Sequence, residues 1–120
     1  MTTEENAGKL TFFQEQAHLI HWQTRSYAEH KALGSFYEFI QDFKDEVVEK
    51  LMGYTGKRIQ SLKIEIIDPK GDSMKLVDNV MKFSKELEAF GDASKFGDIS
   101  NLAQSLSGET AKTKYLLTLS

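Results

Sequence analysis

The chain has 120 residues, a length that suits one domain with a single hydrophobic core. Its apolar and charged fractions, 40% and 28%, are ordinary for a folded protein, and a formal charge of −3 gives no general attraction to nucleic acid or anionic membrane. The lack of cysteine excludes disulfides, thiolate metal sites and a cysteine nucleophile, and neither a membrane-spanning run nor a signal-like start is present. We therefore expect a cytoplasmic protein without a membrane partner.

The first predicted element follows a short polar tail, residues 1–8, and opens a single helical domain, residues 9–120. Its apolar positions step by three and four, which describes one face of an amphipathic helix ending near Ser26: Leu10, Phe13, Ala17 and Ile20. His18 and His21 lie three residues apart on this helix, so they project from adjacent turns in similar directions.

A second helix begins between Tyr27 and Ser35 and has the same three-and-four spacing on its apolar face, which contains Phe36, Ile40, Phe43, Val47 and Leu51. Acidic residues occupy its other flanks: Glu38, Asp42, Asp45, Glu46 and Glu49. Asp45 and Glu49 are four residues apart, a like-charge spacing that mildly destabilises a helix and that a bound cation would relieve. Gly53 and Gly56 are typical of the helix end.

Residues 61–67 alternate between apolar and polar, which predicts an extended segment, and residues 68–72 carry a turn signal. Ser73 then caps a third helix, and Gly91 ends it. The face predicted for this helix contains Leu76, Val80, Phe83, Leu87 and Phe90. A fourth helix starts near Asp98, and its predicted face contains Ile99, Leu102, Leu106, Thr113 and Leu117. The middle of the fourth helix, around Ser107, is its least apolar part.

Four helices with an extended link between the second and third predict an all-α, ferritin-like four-helix bundle with a long crossover between helices 2 and 3. Roughly 19 residues separate Gly53 from Ser73, and an extended chain covers ~3.3 Å per residue. A helix of about 20 residues is only ~30 Å long. The link can therefore return along the bundle and make the second and third helices parallel.

All three histidines lie in or just after the first predicted helix, and acids crowd the second. Imidazole and carboxylate together form a ligand set for iron, manganese or zinc. The set with the most suggestive spacing is His21, His30, Asp45 and Glu49. Solvated faces are the simpler interpretation of Glu38, Asp42 and Glu46.

One pattern in the chain consists of His18 to Trp22, then His30, then Asp45 to Leu51 and Gly53 to Lys57. This pattern resembles the mini-ferritins of the Dps family, the DNA-protecting proteins of starved cells. Those proteins carry His-x-x-His-Trp on the first helix. A further histidine precedes an Asp and a Glu by fifteen and nineteen residues, the spacing from His30 to Asp45 and Glu49.

The resemblance implies self-association, at least as a dimer, with iron as the bound metal. His21 and His30 would come from one subunit, and Asp45 and Glu49 from its two-fold partner, with Trp22 stacked beside the site. It also implies ferroxidase activity, although the sequence leaves open whether the chain is an enzyme. The family's acid four residues after the second histidine falls here on Gly34, and the stretch from Trp22 to His30 is about three residues shorter.

Other interpretations remain open. A non-enzymatic structural or interaction protein could keep the ferritin-like bundle without metal. Glu15 and His18 have the Glu-x-x-His spacing of di-iron carboxylate bundles, which would place a metal inside the bundle instead. DNA binding is not expected, because the N-terminal residues lack the lysines that the resembling family uses and the net charge is negative.

Overall fold

The computed structural model describes residues 1–119, which contain four α-helices and no β-strand. The helices are α1 (Thr3–Gln23), α2 (Tyr27–Thr55), α3 (Ser73–Ser94) and α4 (Gly97–Leu116). The all-α part of the prediction is confirmed. Within the described range, each helix lacks either the length or the apolar character needed to cross a bilayer.

The first helix starts earlier than the sequence pattern predicted, because a capping box fixes its N-terminus. The Thr2 hydroxyl accepts a hydrogen bond from the Glu5 N–H at 3.0 Å, and the Glu5 carboxylate accepts one from the Thr2 N–H at 3.3 Å. Residues 3–8, predicted as part of a polar tail, are therefore helical, and Asn6 and Ala7 are buried.

The two ends of α3 also differ from the predicted ones. Asp72, rather than Ser73, is the N-cap, and its carboxylate accepts from the Lys75 N–H at 3.0 Å. The helix continues past Gly91 to Ser94 and ends at Lys95, whose φ of 60° is left-handed. Gly91 instead permits close helix contact, since a Cβ there would lie 2.5 Å from Ser100 Oγ and 2.7 Å from Ser100 N.

The apolar faces predicted for the helices form the core. The following side chains are buried: Leu10, Phe13, Ala17, Ile20, Phe36, Ile40, Phe43, Val47, Leu51, Leu76, Val80, Phe83, Leu87, Ile99 and Leu106. The polar middle of α4 can pack against the core because its hydroxyl groups form hydrogen bonds within the helix. Ser107, Thr110 and Thr113 donate to the carbonyl groups four residues earlier, at 2.7–3.2 Å.

Each helix packs against two others around this core. α1 contacts α2 and α3, and α4 contacts the same two helices. Phe13 meets Phe83 edge to face, with 5.6 Å between ring centroids, where α1 crosses α3. The hydroxyl groups of Ser84 and Ser107, 2.8 Å apart, join α3 to α4.

The link of residues 56–72 lies alongside α1. Leu62 and Lys63 line the same surface as the first turns of α1, and the Gln16 side chain donates to the Ile67 carbonyl at 2.6 Å. Near the end of α1, Gln23 donates to Asp68 at 2.8 Å. The chain then enters α3, whose first residue, Ser73, donates to the Glu29 carboxylate in the first turn of α2 at 3.4 Å.

Candidate functional site

Two histidines face each other where α1 ends and α2 begins. The Nδ1 of His21 donates to the backbone carbonyl of His30 at 2.7 Å, and the Nδ1 of His30 donates to the carbonyl of His21 at 2.8 Å. The rings stack with 3.7 Å between centroids and 17° between planes. A carbonyl can only accept, so both Nδ1 atoms carry hydrogen. Each neutral ring therefore keeps an unprotonated Nε2 with a free lone pair.

A tight turn brings the two rings together. Only residues 24–26 separate the helices, and the Ser26 hydroxyl caps α2 by accepting from the Glu29 N–H at 3.2 Å. The Ser26 N–H in turn donates to the Thr24 hydroxyl at 3.1 Å. His21 thus sits in the last turn of α1 and His30 is the fourth residue of α2.

Gly34 makes room for one of the rings. It lies one helical turn after His30, and a Cβ added there would be 3.0 Å from His21 Cε1 and 3.3 Å from His21 Nδ1. This is the position at which the Dps-like pattern would carry an acid. In this chain the His21 imidazole fills that space, so an acidic side chain at residue 34 would require the ring to move.

Aromatic side chains surround the histidine pair. His18 packs against Trp22 and Tyr37 with the rings tilted by 38° and 36° and with 3.8 Å and 4.2 Å between centroids. The Tyr27 ring centroid lies 6.4 Å from that of His30. Trp22 and Tyr27 are 64% and 75% exposed, respectively. Trp22 therefore packs on His18, and these rings form an exposed aromatic surface at one end of the α1–α2 pair.

The predicted carboxylate ligands lie elsewhere in the same chain. Asp45 and Glu49 are exposed on α2. At 1.5 Å rise per residue they lie about 22 Å and 28 Å along the helix from His30. Among residues 1–119, no group of three or more His, Asp or Glu side chains is placed to hold a metal ion. The structure thus brings together two of the four predicted ligands, and it likewise builds no three-ligand group around Glu15 and His18.

Each histidine of the pair has the backbone hydrogen bond that is typical of a metal ligand. A metal-ligating histidine commonly binds through one ring nitrogen while the other donates to a backbone carbonyl, as Nδ1 does in both residues here. Two nitrogen donors are fewer than the four or more ligands that zinc or iron takes. The remaining ligands would have to come from another chain or from solvent.

Sequence reasoning considered Gly34 only as the position of a missing acid, and it did not identify Tyr37. Both follow His30 at helical spacing, four and seven residues later, and so lie on the same face of α2. Projecting the second helix from His30 would have grouped them. The reciprocal bonds to backbone carbonyls had no signal in the sequence, because they depend on the geometry of the turn.

A different polar contact joins the other end of α2 to α4. The Tyr54 hydroxyl donates to Asp98 at 2.5 Å, and its ring stacks on Phe96 with 3.8 Å between centroids. This hydrogen bond raises the pKa of Tyr54 and lowers the pKa of Asp98. The pKa of Asp68 is also lowered, mainly by the N–H of Lys70. These three groups lie at helix ends and in the link before α3.

Comparison with known proteins gives a family and a relative. Residues 21–117 match DUF5856, a family of unknown function. The chain is 26% identical over 116 residues to the uncharacterized 14.6 kDa protein of the mobD-ri intergenic region of Enterobacteria phage T4, an alignment that covers 97% of this chain and 88% of the phage protein. No solved structure matches the chain.

Proposed function

The chain belongs to the DUF5856 family, and we propose that it is a Dps-like, ferritin-like metal-binding protein whose site is completed by a second copy of the chain. Iron is the proposed metal. The observation that carries the proposal is the histidine pair, in which both Nδ1 atoms are hydrogen-bonded to backbone carbonyl groups. In a neutral ring, Nε2 is then the nitrogen that can bind a metal.

The helix contacts support a ferritin-like bundle with a long crossover. Ser73 at the start of α3 reaches Glu29 at the start of α2, and Tyr54 at the end of α2 reaches Asp98 at the start of α4. α2 and α3 then run in the same direction. The link along α1 would be the crossover that a parallel pair of consecutive helices requires.

A two-fold partner supplies what each chain lacks. In an isologous dimer every contact occurs twice, so one patch on each chain can meet a different patch on its twin. Asp45 and Glu49 are exposed and four residues apart, which places two carboxylates on adjacent turns of α2. Two such dimer-related sites would each contain His21 and His30 from one chain and Asp45 and Glu49 from the other.

Anaerobic titration with iron(II), followed calorimetrically, tests the metal proposal. We expect saturable binding by the wild-type chain and at least a tenfold loss of affinity in His21→Ala or in the double variant Asp45→Asn/Glu49→Gln. His18→Ala and Glu38→Gln/Asp42→Asn are matched controls that remove the same residue types from neighbouring positions and should bind as the wild type does. Admission of oxygen or peroxide to the loaded protein then tests for ferroxidase activity, read as the near-ultraviolet absorbance of ferric species.

Mixing two defective chains tests whether the site is shared. A His21→Ala/His30→Ala chain and an Asp45→Asn/Glu49→Gln chain each lack a complete site. In a heterodimer of the two, one of the two shared sites is intact. After equal mixing and exchange, about a quarter of the wild-type capacity should return, since about half the dimers are mixed and each has one working site. Absence of any recovery from stable mixed dimers would contradict a shared site.

The second candidate is a structural role without metal. It is favoured by the way that each histidine already satisfies a carbonyl of the neighbouring helix, with the rings stacked at 3.7 Å. In that case the pair holds the α1–α2 turn closed. His21→Ala and His30→Ala would then lower the free energy of unfolding, while wild type and variants alike would bind no iron.

A further inference from the structure

The link contains a stretch of backbone with no backbone partner. In the part of the chain that the structure describes, residues 58–68 make no backbone-to-backbone hydrogen bond. The one contact to a carbonyl of this stretch comes from the Gln16 side chain, which donates to Ile67. The N–H and C=O groups between Leu62 and Ile66 are therefore available to another strand.

The path of this stretch beside α1 fits an extended backbone. Lys63 lines a groove with Lys9 of α1, and Ile67 is bonded to Gln16. The seven steps from Lys9 to Gln16 rise about 10 Å in a helix. Four steps from Lys63 to Ile67 cover about 13 Å in a strand. Four residues of the link can therefore span about the same distance as seven residues of α1 only if their backbone is nearly extended.

The side chains alternate as they do on a half-buried strand. Leu62, Ile64 and Ile66 alternate with Lys63 and Glu65. Leu62 and Ile66 are still 40% and 38% exposed, and both charged side chains are exposed. Neither Lys63 nor Glu65 forms an ion pair within residues 1–119. The segment thus has apolar and charged surface that the single chain leaves uncovered.

We propose that residues 62–66 of two copies of this chain pair as antiparallel β-strands, with Ile64 on the two-fold axis. In this register Leu62 lies opposite Ile66 of the second copy, and Ile64 lies opposite its own equivalent. Lys63 lies opposite Glu65 of the second copy, so two ion pairs form by symmetry on the other face.

The self-complementary charge pattern identifies a second copy as the occupant. Reversing the sequence about Ile64 exchanges Lys63 with Glu65 and Leu62 with Ile66, so an antiparallel copy matches sign with opposite sign and apolar with apolar. Opposite charges directly across a strand pair stabilise it, and like charges destabilise it. The pairing involves none of the proposed metal ligands, so variants of residues 63–65 test it without altering those ligands.

Charge reversal tests this register in the full-length protein. The dimer dissociation constant is measured by sedimentation velocity for wild type, Lys63→Glu, Glu65→Lys and the double reversal. Each single reversal places like charges opposite each other twice, and we expect it to weaken the dimer roughly tenfold or more. The double reversal restores both opposite-charge pairs and should return to within about threefold of the wild-type value.

A single introduced cysteine gives a geometric test, because the chain has no cysteine of its own. Residues directly opposite in an antiparallel pair have Cα atoms about 4.5–5.5 Å apart, within the span of a disulfide. Ile64→Cys should therefore form a disulfide-linked dimer under mild oxidation, whereas Asn101→Cys, exposed on α4, should remain monomeric on a non-reducing gel. A monomeric wild type, a dimer indifferent to charge reversal, or equal cross-linking at residues 64 and 101 would each overturn the proposal.

Discussion

Replacement of Gly34 by alanine probes the placement of His21 on which the metal proposal depends. A Cβ at residue 34 would lie 3.0 Å from His21 Cε1 and 3.3 Å from His21 Nδ1, closer than a relaxed contact. The imidazole must therefore shift by a few tenths of an ångström. Such a shift strains its hydrogen bond to the His30 carbonyl, now 2.7 Å, and its stacking on the His30 ring.

Two effects of similar size then oppose each other. Glycine to alanine inside a helix stabilises by about 1 kcal/mol, and a hydrogen bond is worth about 1 kcal/mol net. In the wild-type background, the stability gained from helix propensity and the stability lost from the strained hydrogen bond nearly cancel. In the His21→Ala background the obstruction is gone and the whole gain of about 1 kcal/mol should appear. The coupling between the two positions is thus about 1 kcal/mol, or roughly 4 °C in Tm for a domain of this size.

The free energy of unfolding, measured in urea by circular dichroism for the four chains of this cycle, gives the coupling directly. Gly108→Ala is the control, because a Cβ placed there has no heavy atom within 4 Å other than the local backbone and the neighbouring residues of its own helix. It should stabilise by about the same amount whether residue 21 is histidine or alanine. If Gly34→Ala also stabilises both backgrounds equally, the imidazole does not occupy the space beside residue 34 and our description of the pair is wrong.

Two further predictions concern the ends of the helices. Gly91→Ala should lower the free energy of unfolding by about 2 kcal/mol in the same urea assay. The new methyl group would meet the Ser100 backbone at 2.7 Å, and this overpacking outweighs the gain in helix propensity. An increase in stability like that of Gly108→Ala would refute the close contact. Tyr54→Phe tests the pH dependence. The lowered pKa of Asp98 gives stability that is present above its ordinary pKa and lost as pH falls through the folded value. The raised pKa of Tyr54 gives stability that is present below its ordinary pKa and lost as pH rises through the folded value. The variant should therefore be less stable than wild type near neutral pH, and the difference should shrink at about pH 3; a constant difference between about pH 3 and about pH 7 would contradict the assignment.

Apolar spacing predicted the buried faces of the helices because burial depends mainly on which residues share a helical face. Leu10, Phe36, Val80 and Ile99 all point into the core as expected. Helix ends were less predictable because a glycine can either end a helix or allow two helices to approach closely. Gly91 looked like a terminator but serves a close contact between α3 and α4, which only the packing reveals. By contrast, the capping box of Thr2 and Glu5 was readable in the sequence and was missed.

The candidate site was predicted in part. His21 and His30 were grouped from their spacing and from the resemblance to the Dps family, and their rings do meet. Their mutual bonds could not be predicted, because backbone carbonyls at a helix end carry no sequence signature. Asp45 and Glu49 lie turns away along a rigid helix, so their meeting with the histidines remains a prediction about two chains.

The two reciprocal hydrogen bonds across the α1–α2 turn have a consequence for its rigidity. The carbonyl of His21 lies in the last turn of α1, where carbonyl groups have no N–H partner within the helix. The His30 ring supplies the missing hydrogen bond and so caps the end of α1. Each ring is anchored by the other residue's backbone, so displacing one ring breaks its own hydrogen bond and the stacking contact, whereas the second hydrogen bond can persist. We expect the loss of either imidazole to weaken the connection between α1 and α2, and the loss of both to release it.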